Sequence, residues 1–166
     1  MQKLIVILSI LFSAQGFAQA SASAVVNTVV RVVEPITIQK SLDLNFGNVL
    51  SSYNPGSLIL SPDGTRTAVG VQISNAVQGE VSPAQAVVTH GDNDYSITLP
   101  DSFILYNQRN PNQTILINQF KVEPFIYSGI EGADILRIGA TLNLEANQVP
   151  GLYTNSTGFS VTVTYN

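Results

Sequence analysis

Two runs of strict alternation near the end of the sequence constrain the fold more than any other feature. From Leu136 one parity reads Leu136, Ile138, Ala140, Leu142, Leu144, against Arg137, Gly139, Thr141 and Asn143. From Phe159 it reads Phe159, Val161, Val163, Tyr165, against Ser160, Thr162, Thr164 and Asn166. A period of two places successive side chains on opposite faces, as half-buried antiparallel strands require. Phe159, Val161, Val163 and Tyr165 are the candidate terminal strand. No segment of ten or more residues carries a helical period, and eight to ten short strands separated by turn residues predict an immunoglobulin-like or pilin-like all-β antiparallel β-sandwich.

The first twenty residues read as a leader rather than as fold. Lys3 supplies a positive start, Leu4–Phe12 is apolar, and Ala18-Gln19-Ala20 is the small-x-small pattern of a cleavage site. Cleavage after Ala20 would leave residues 21–166 as a single exported domain. A domain of this size buries roughly 70% of the surface its unfolded chain exposes, so it can stand without disulfides, and the chain has no cysteine. No later stretch has the length and apolarity of a transmembrane helix, so no transmembrane anchor is expected.

Charged residues make up 11% of the chain, against about 25% in an ordinary domain. The net charge is −4, and beyond Lys3 the basic residues Arg31, Lys40, Arg66, Arg109, Lys121 and Arg137 are scattered singly. A nucleic-acid surface needs clustered cations to displace phosphate counterions, so no nucleic-acid partner is expected. Ser, Thr, Asn and Gln must cover the surface instead.

Ser23–Val33 is a valine-rich run, with Ala24, Val26, Thr28, Val30 and Val32 on one parity. The other carries Val25, Val29 and Val33 beside Asn27 and Arg31. A strand apolar on both faces suits insertion between neighbours or into a groove, which makes Val26, Val30 and Val32 the candidate strand-pairing segment. The pattern fits equally a strand of the chain's own sandwich and one donated to another copy. Glu34-Pro35 breaks the run, since proline cannot donate to a ladder. Ile36 and Ile38 resume it, as a first strand changing sheets would.

Further along, Leu42, Leu44 and Phe46 predict a strand over Ser41–Val49, and Ser61-Pro62-Asp63-Gly64 closes a hairpin over 57–74. Ala84–Thr89 is a short strand, and His90–Asp94 a turn into Tyr95, Ile97 and Leu99. Asp101–Leu105 reads as an edge segment and Tyr106–Asn112 as a polar loop. Ile115 and Ile117 lie on one parity, Phe120 and Val122 on the other. That slip near Asn118-Gln119 predicts a β-bulge.

Several ordered motifs carry a resemblance: Leu44-Asn45-Phe46-Gly47 after Pro35-Ile36-Thr37-Ile38, Tyr95-Ser96-Ile97-Thr98-Leu99-Pro100, Ile138-Gly139-Ala140-Thr141-Leu142, and Asn147-Gln148 followed by Gly151-Leu152-Tyr153 and Val161–Asn166. Together they resemble the secreted bacterial family called domain of unknown function 4402. The resemblance implies an exported β-sandwich from a Gram-negative bacterium with no established activity. The ending Val163-Thr164-Tyr165-Asn166 is distantly similar to the termini of spore-coat-U-like and chaperone–usher pilin subunits, in which an N-terminal extension completes the sheet of the next subunit. This chain departs from the pilins in lacking a cysteine pair and any glycine in residues 21–33.

Candidate chemistry is sparse. His90-Gly91-Asp92-Asn93-Asp94 offers an imidazole and two carboxylates, but a calcium loop needs a longer alternation of oxygen ligands and a distal glutamate. It reads as a solvated turn. A serine hydrolase would have to use His90, the sole histidine, and no Gly-x-Ser-x-Gly accompanies it. Glu80, Asp101, Glu123, Glu131, Asp134 and Glu145 fall in loops or at strand ends. No catalytic residue, metal or cofactor is therefore expected. Two readings remain: a structural or adhesive surface subunit, fimbria-like, whose partners are copies of itself or other surface subunits, or a monomeric binding module for a glycan or other small ligand. The second rests on Tyr53, Tyr106, Tyr127 and Tyr153, predicted in loops, whose rings could stack on sugars or could cap the core.

Overall fold

A computed structural model describes residues 21–73, 75–126 and 132–166, in two units that meet at Val32/Val33. The expected leader, Tyr127 and Glu131 lie outside the described residues. Of the first unit, residues 21–32 are described. They carry no strand or helix, and Val25, Val26, Val29, Val30 and Val32 are 82–95% exposed. The first strand predicted over Ser23–Val33 does not form there.

The second unit is all-β and consistent with a sandwich. Its strands are β1 (Thr37–Leu42), β2 (Gly56–Leu60), β3 (Arg66–Val69), β4 (Ala84–Thr89), β5 (Tyr95–Thr98), β6 (Ser102–Asn107), β7 (Thr114–Ile126), β8 (Ala133–Leu144), β9 (Tyr153–Thr154) and β10 (Thr162–Tyr165). Eight form one antiparallel sheet in the order β1-β4-β8-β7-β6-β9, with β2 pairing both β3 and β8; β10 and β5 form a two-stranded sheet.

The long strand β8 organises the sheet. β7 pairs with it along one edge, while β4 and then β2 share the other. Its apolar parity is buried throughout, from Leu136 to Leu144, as the alternation requires. At Gly139 the β4 ladder gives way to the β2 ladder. A Cβ there would meet the Leu60 carbonyl oxygen, Ser61 C at 2.8 Å and Pro62 N at 2.9 Å. Opposite, the β7–β8 register shifts between Asn118 and Lys121, with Gln119 at φ 50°. That is the predicted bulge, and it bends the sheet at the level of Gly139. Thr141 Oγ1 donates to Gln119 Oε1 (3.1 Å), and Asn143 Nδ2 donates to Asn118 Oδ1 (2.9 Å), so side chains take up polar groups at the irregularity.

The hairpin over 57–74 forms as β2–β3, with Gly64 N donating to Ser61 O (2.9 Å) across its turn. The core gathers Phe46, Leu58, Leu60, Val71, Ile115, Ile117, Ala140, Leu142 and Leu144. Three expectations need correcting. The alternation that resumes at Ile36 and Ile38 forms β1, but the separate strand predicted over Ser41–Val49 does not form beyond Leu42, where an isolated Asn45–Ser82 bridge remains and Phe46 is buried without a ladder. The terminal strand is shorter than predicted: Val163 and Tyr165 belong to β10, whereas Phe159 and Val161 precede it. Tyr106 is in β6 and Tyr153 in β9 rather than in loops.

Candidate binding groove

Strand β1 lies at the edge of the large sheet and pairs only with β4, while β10 pairs only with β5. No ladder joins β1 to β10. At one end the two meet: the Tyr165 hydroxyl donates to Glu34 O (2.9 Å) and accepts from Gly91 N (3.0 Å). β1 runs away from this clasp and β10 runs into it, so the space between them opens towards Leu42 and Phe159. There it forms a cavity of about 670 Å³, within the ~300–1,000 Å³ range typical of ligand clefts.

The cavity has a cause in the sequence. On β4, Ala84 and Ala86 face inwards, where neighbouring strands use leucine and isoleucine; Ala84 pairs with Ile138 and Ala86 with Leu136. Two methyl groups leave a shallow floor. One wall is Ile38, Leu42, Leu44 and Phe46; facing it are Phe103, Leu105, Tyr153, Phe159 and Val161. The Phe159 ring packs against Phe120 (centroids 4.9 Å apart) and Phe103 (6.0 Å), so the alternation near Phe159 serves the core without a ladder. The rim is polar. Lys40, on the groove-facing parity of β1, reaches out to Asp43 (Nζ–Oδ1 2.7 Å), an exposed pair worth at most about 1 kcal/mol. Asn155 shapes the opposite lip, its Oδ1 accepting from Thr157 N (3.0 Å) and its Nδ2 donating to Ile104 O (2.8 Å).

Behind the clasp lies the main polar cluster. Tyr95 OH donates to Asp134 Oδ2 (2.7 Å), His90 Nε2 stands 3.2 Å from the same oxygen, and the His90 and Tyr95 rings are 4.9 Å apart. Burial, reinforced by the Asp134 carboxylate, pushes the Tyr95 phenol well above its ordinary pKa. His90 therefore sits within the fold and Asp134 near the start of β8, while among the described residues no cluster of three or more His, Asp or Glu is arranged to hold a metal.

Replacing Tyr165 with phenylalanine should leave the Gly91 N–H and Glu34 carbonyl without this partner. We expect a loss of about 1–2 kcal/mol in urea unfolding; an unchanged midpoint would show that the clasp contributes nothing to stability.

The structure places Phe159 and Val161 in the groove wall and Val163 and Tyr165 in β10, with the Tyr165 hydroxyl at the clasp, while Val26, Val30 and Val32 stand exposed in the first unit. Of the loop-tyrosine candidates among the described residues, Tyr53 is exposed, Tyr106 is half exposed on β6, and Tyr153 lies on the paired β9 with its hydroxyl taken up by Val149 O and Gln148 Nε2. Sequence reasoning missed Ala84 and Ala86, whose only signal was two small residues at inward positions of a strand.

No curated protein and no solved structure matches the chain. A family model does match, over residues 36–165, covering all ten strands described above, and on that match the chain belongs to the family described as Domain of unknown function (DUF4402).

Proposed function

We propose that the chain is an exported, non-enzymatic structural or adhesive surface protein, a fimbria-like subunit that assembles by β-strand pairing. The observation that carries this reading is the groove: an apolar trough lined along one side by β1, an edge strand with one ladder only. An unpaired strand edge is a row of unmet backbone donors and acceptors, and such edges recruit strands. Apolar pockets beside the edges would give specificity for alternate side chains. The leader expected at Met1–Ala20 would deliver the protein to the periplasm, cell surface or extracellular space, and the polar, weakly charged composition suits packing among like subunits. The distant similarity of Val163–Asn166 to pilin termini points the same way.

The test is the assembly state of residues 21–166 by analytical ultracentrifugation over a wide concentration range. We expect concentration-dependent oligomers that form with amide-exchange protection appearing on β1. A monomer throughout, with β1 amides exchanging freely, would reject the reading.

A further inference from the structure

A second surface lies where β2, β8, β7 and β6 meet their connecting loops, on the face of the sheet turned away from the groove. We propose that it binds a neutral oligosaccharide. Tyr53 and Tyr106 stack on sugar rings at its two sides, and the Glu145 carboxylate accepts hydrogen bonds from hydroxyls between them. This goes beyond strand pairing and stands without it.

The register fixes where these residues lie. Tyr106 faces Thr114 across β6–β7. Leu116 faces Asn143 across β7–β8, and Gly56 faces Leu144 across β2–β8. Carried one or two residues further, these pairings bring Thr114 and Pro55 level with Glu145, and Tyr53 is two residues from Pro55. β2 and β6 stand three strand spacings apart in the order β2-β8-β7-β6, about 14 Å at ~4.8 Å each. A span of that width takes several linked sugar rings rather than one.

The outward side chains here are unspent. Phe103 and Leu105 line the groove, so Tyr106 points to the opposite face, beside the half-exposed Ile104–Leu116 pair. Tyr53 is 89% exposed. Neither tyrosine hydroxyl nor the Glu145 carboxylate has a hydrogen-bond partner among the described residues. The backbone beneath them is, by contrast, firmly held. Gln148, only 6% exposed, accepts from Glu145 N (3.2 Å) and donates to Thr114 O (3.2 Å) and the Tyr153 hydroxyl (2.9 Å), which staples the end of β8 to the start of β7. Asn147 N donates to Ser52 O (2.7 Å), tying the Tyr53 loop to the same staple. Buried Asn107 accepts from Arg109 N (2.9 Å) just past Tyr106. A braced backbone carrying tyrosines, whose rings give contact area at low entropic cost, leaves little to be ordered on binding.

The side-chain chemistry selects the ligand. A sugar ring offers a C–H face that packs on an aromatic ring and a rim of hydroxyls that needs acceptors. A carboxylate accepts from two such hydroxyls at once. The same carboxylate, in a chain of net charge −4, repels acidic sugars. It also disfavours a second copy, because a two-fold contact centred here would bring Glu145 against itself.

The test is a titration of isotope-labelled residues 21–166, followed by amide shifts, with oligosaccharides of glucose, mannose, galactose and N-acetylglucosamine from monosaccharide to hexasaccharide. Oligogalacturonate is the acidic counterpart. We expect a neutral trisaccharide or longer chain to shift amides around Tyr53, Tyr106 and Glu145, and its monosaccharide to shift none. Tyr53→Ala and Tyr106→Ala should each weaken binding about 3- to 10-fold, the loss of one stacked ring. Tyr106→Phe keeps the ring and most of the binding, and Glu145→Gln should admit oligogalacturonate. Tyr53→Ala, at an exposed loop position, decides the matter if Tyr106→Ala folds poorly. A panel that shifts nothing would overturn the inference. So would a preference for oligogalacturonate, binding unchanged in the double tyrosine variant, or shifts confined to groove residues such as Leu42 and Phe159. Sedimentation of the same samples keeps this site apart from assembly. Oligomers that dissociate in the tyrosine variants would give the surface to another copy and overturn the inference, whereas a monomer that binds sugar through Tyr53 and Tyr106 would reject strand pairing and uphold this site.

Discussion

Replacing Ala86 with leucine is expected to give a chain that folds as well as the parent and no longer assembles. Ala86 pairs with Lys40 on one side and Leu136 on the other, and its methyl group forms part of the groove floor. Enlarging a side chain in a close-packed core usually costs about 1–3 kcal/mol, because neighbours are forced off their rotamers. Here the added carbons enter open space between apolar walls. Each methylene they remove from water contributes up to about 0.8 kcal/mol, so stability should be unchanged or slightly raised. The same atoms take the volume that an apolar side chain of an inserted strand, such as a valine, needs. Losing the burial of one valine costs roughly 1.5–3 kcal/mol, which weakens association about 10- to 100-fold. Urea unfolding and sedimentation on one preparation separate the two effects. A variant that unfolds would mean the floor is packed after all, and one that assembles normally would mean nothing enters the groove.

Much of the fold was legible because it is written locally. The parity of β8, the β2–β3 turn residues and the phase slip at Asn118-Gln119 each act within a few residues, and each appears in the structure where the pattern placed it. What alternation cannot say is whether an extended segment has a partner. Leu44 and Phe46 alternate with polar residues because one side packs on the core, and the same holds for Phe159 and Val161, yet none lies in a strand. The pattern of residues 23–33 has the same ambiguity: it specifies two apolar faces and leaves open what covers them. The groove was less legible still. It arises because β1 joins β4 across more than forty residues and β10 joins β5 across more than sixty, with no strand bridging the gap. That is a property of topology. Only the two inward alanines of β4 hinted at it.

A large loss of stability from a single methyl group is expected at Gly139. Substitution by alanine is unfavourable here for a reason unrelated to glycine's backbone freedom, since Gly139 is not among the residues with positive φ. The added Cβ would press on the Leu60 carbonyl, on Ser61 C at 2.8 Å and on Pro62 N at 2.9 Å. All three are main-chain atoms, so no side chain can rotate away. They also belong to the start of a tight turn, held by Gly64 N to Ser61 O (2.9 Å) and Ser61 N to Thr65 O (2.9 Å). Relief would have to come from moving β2 away from β8 and breaking ladder bonds. We expect Gly139→Ala to cost about 3 kcal/mol, the upper end of what overpacking does, and so to lower the melting temperature by roughly 10 °C in a domain of this size. Gly158→Ala supplies the contrast. At φ 64° with nothing within 4 Å of its added Cβ, that change carries only left-handed backbone strain of about 1–2 kcal/mol. Thermal unfolding of both variants should therefore rank Gly139→Ala well below Gly158→Ala. The reverse order would mean that β2 yields easily at this crossing. Ile138, one residue away, lies in the groove floor, so a β8 displaced at Gly139 should also loosen the groove, and assembly should fall with stability in this variant while the two stay separate in Ala86→Leu.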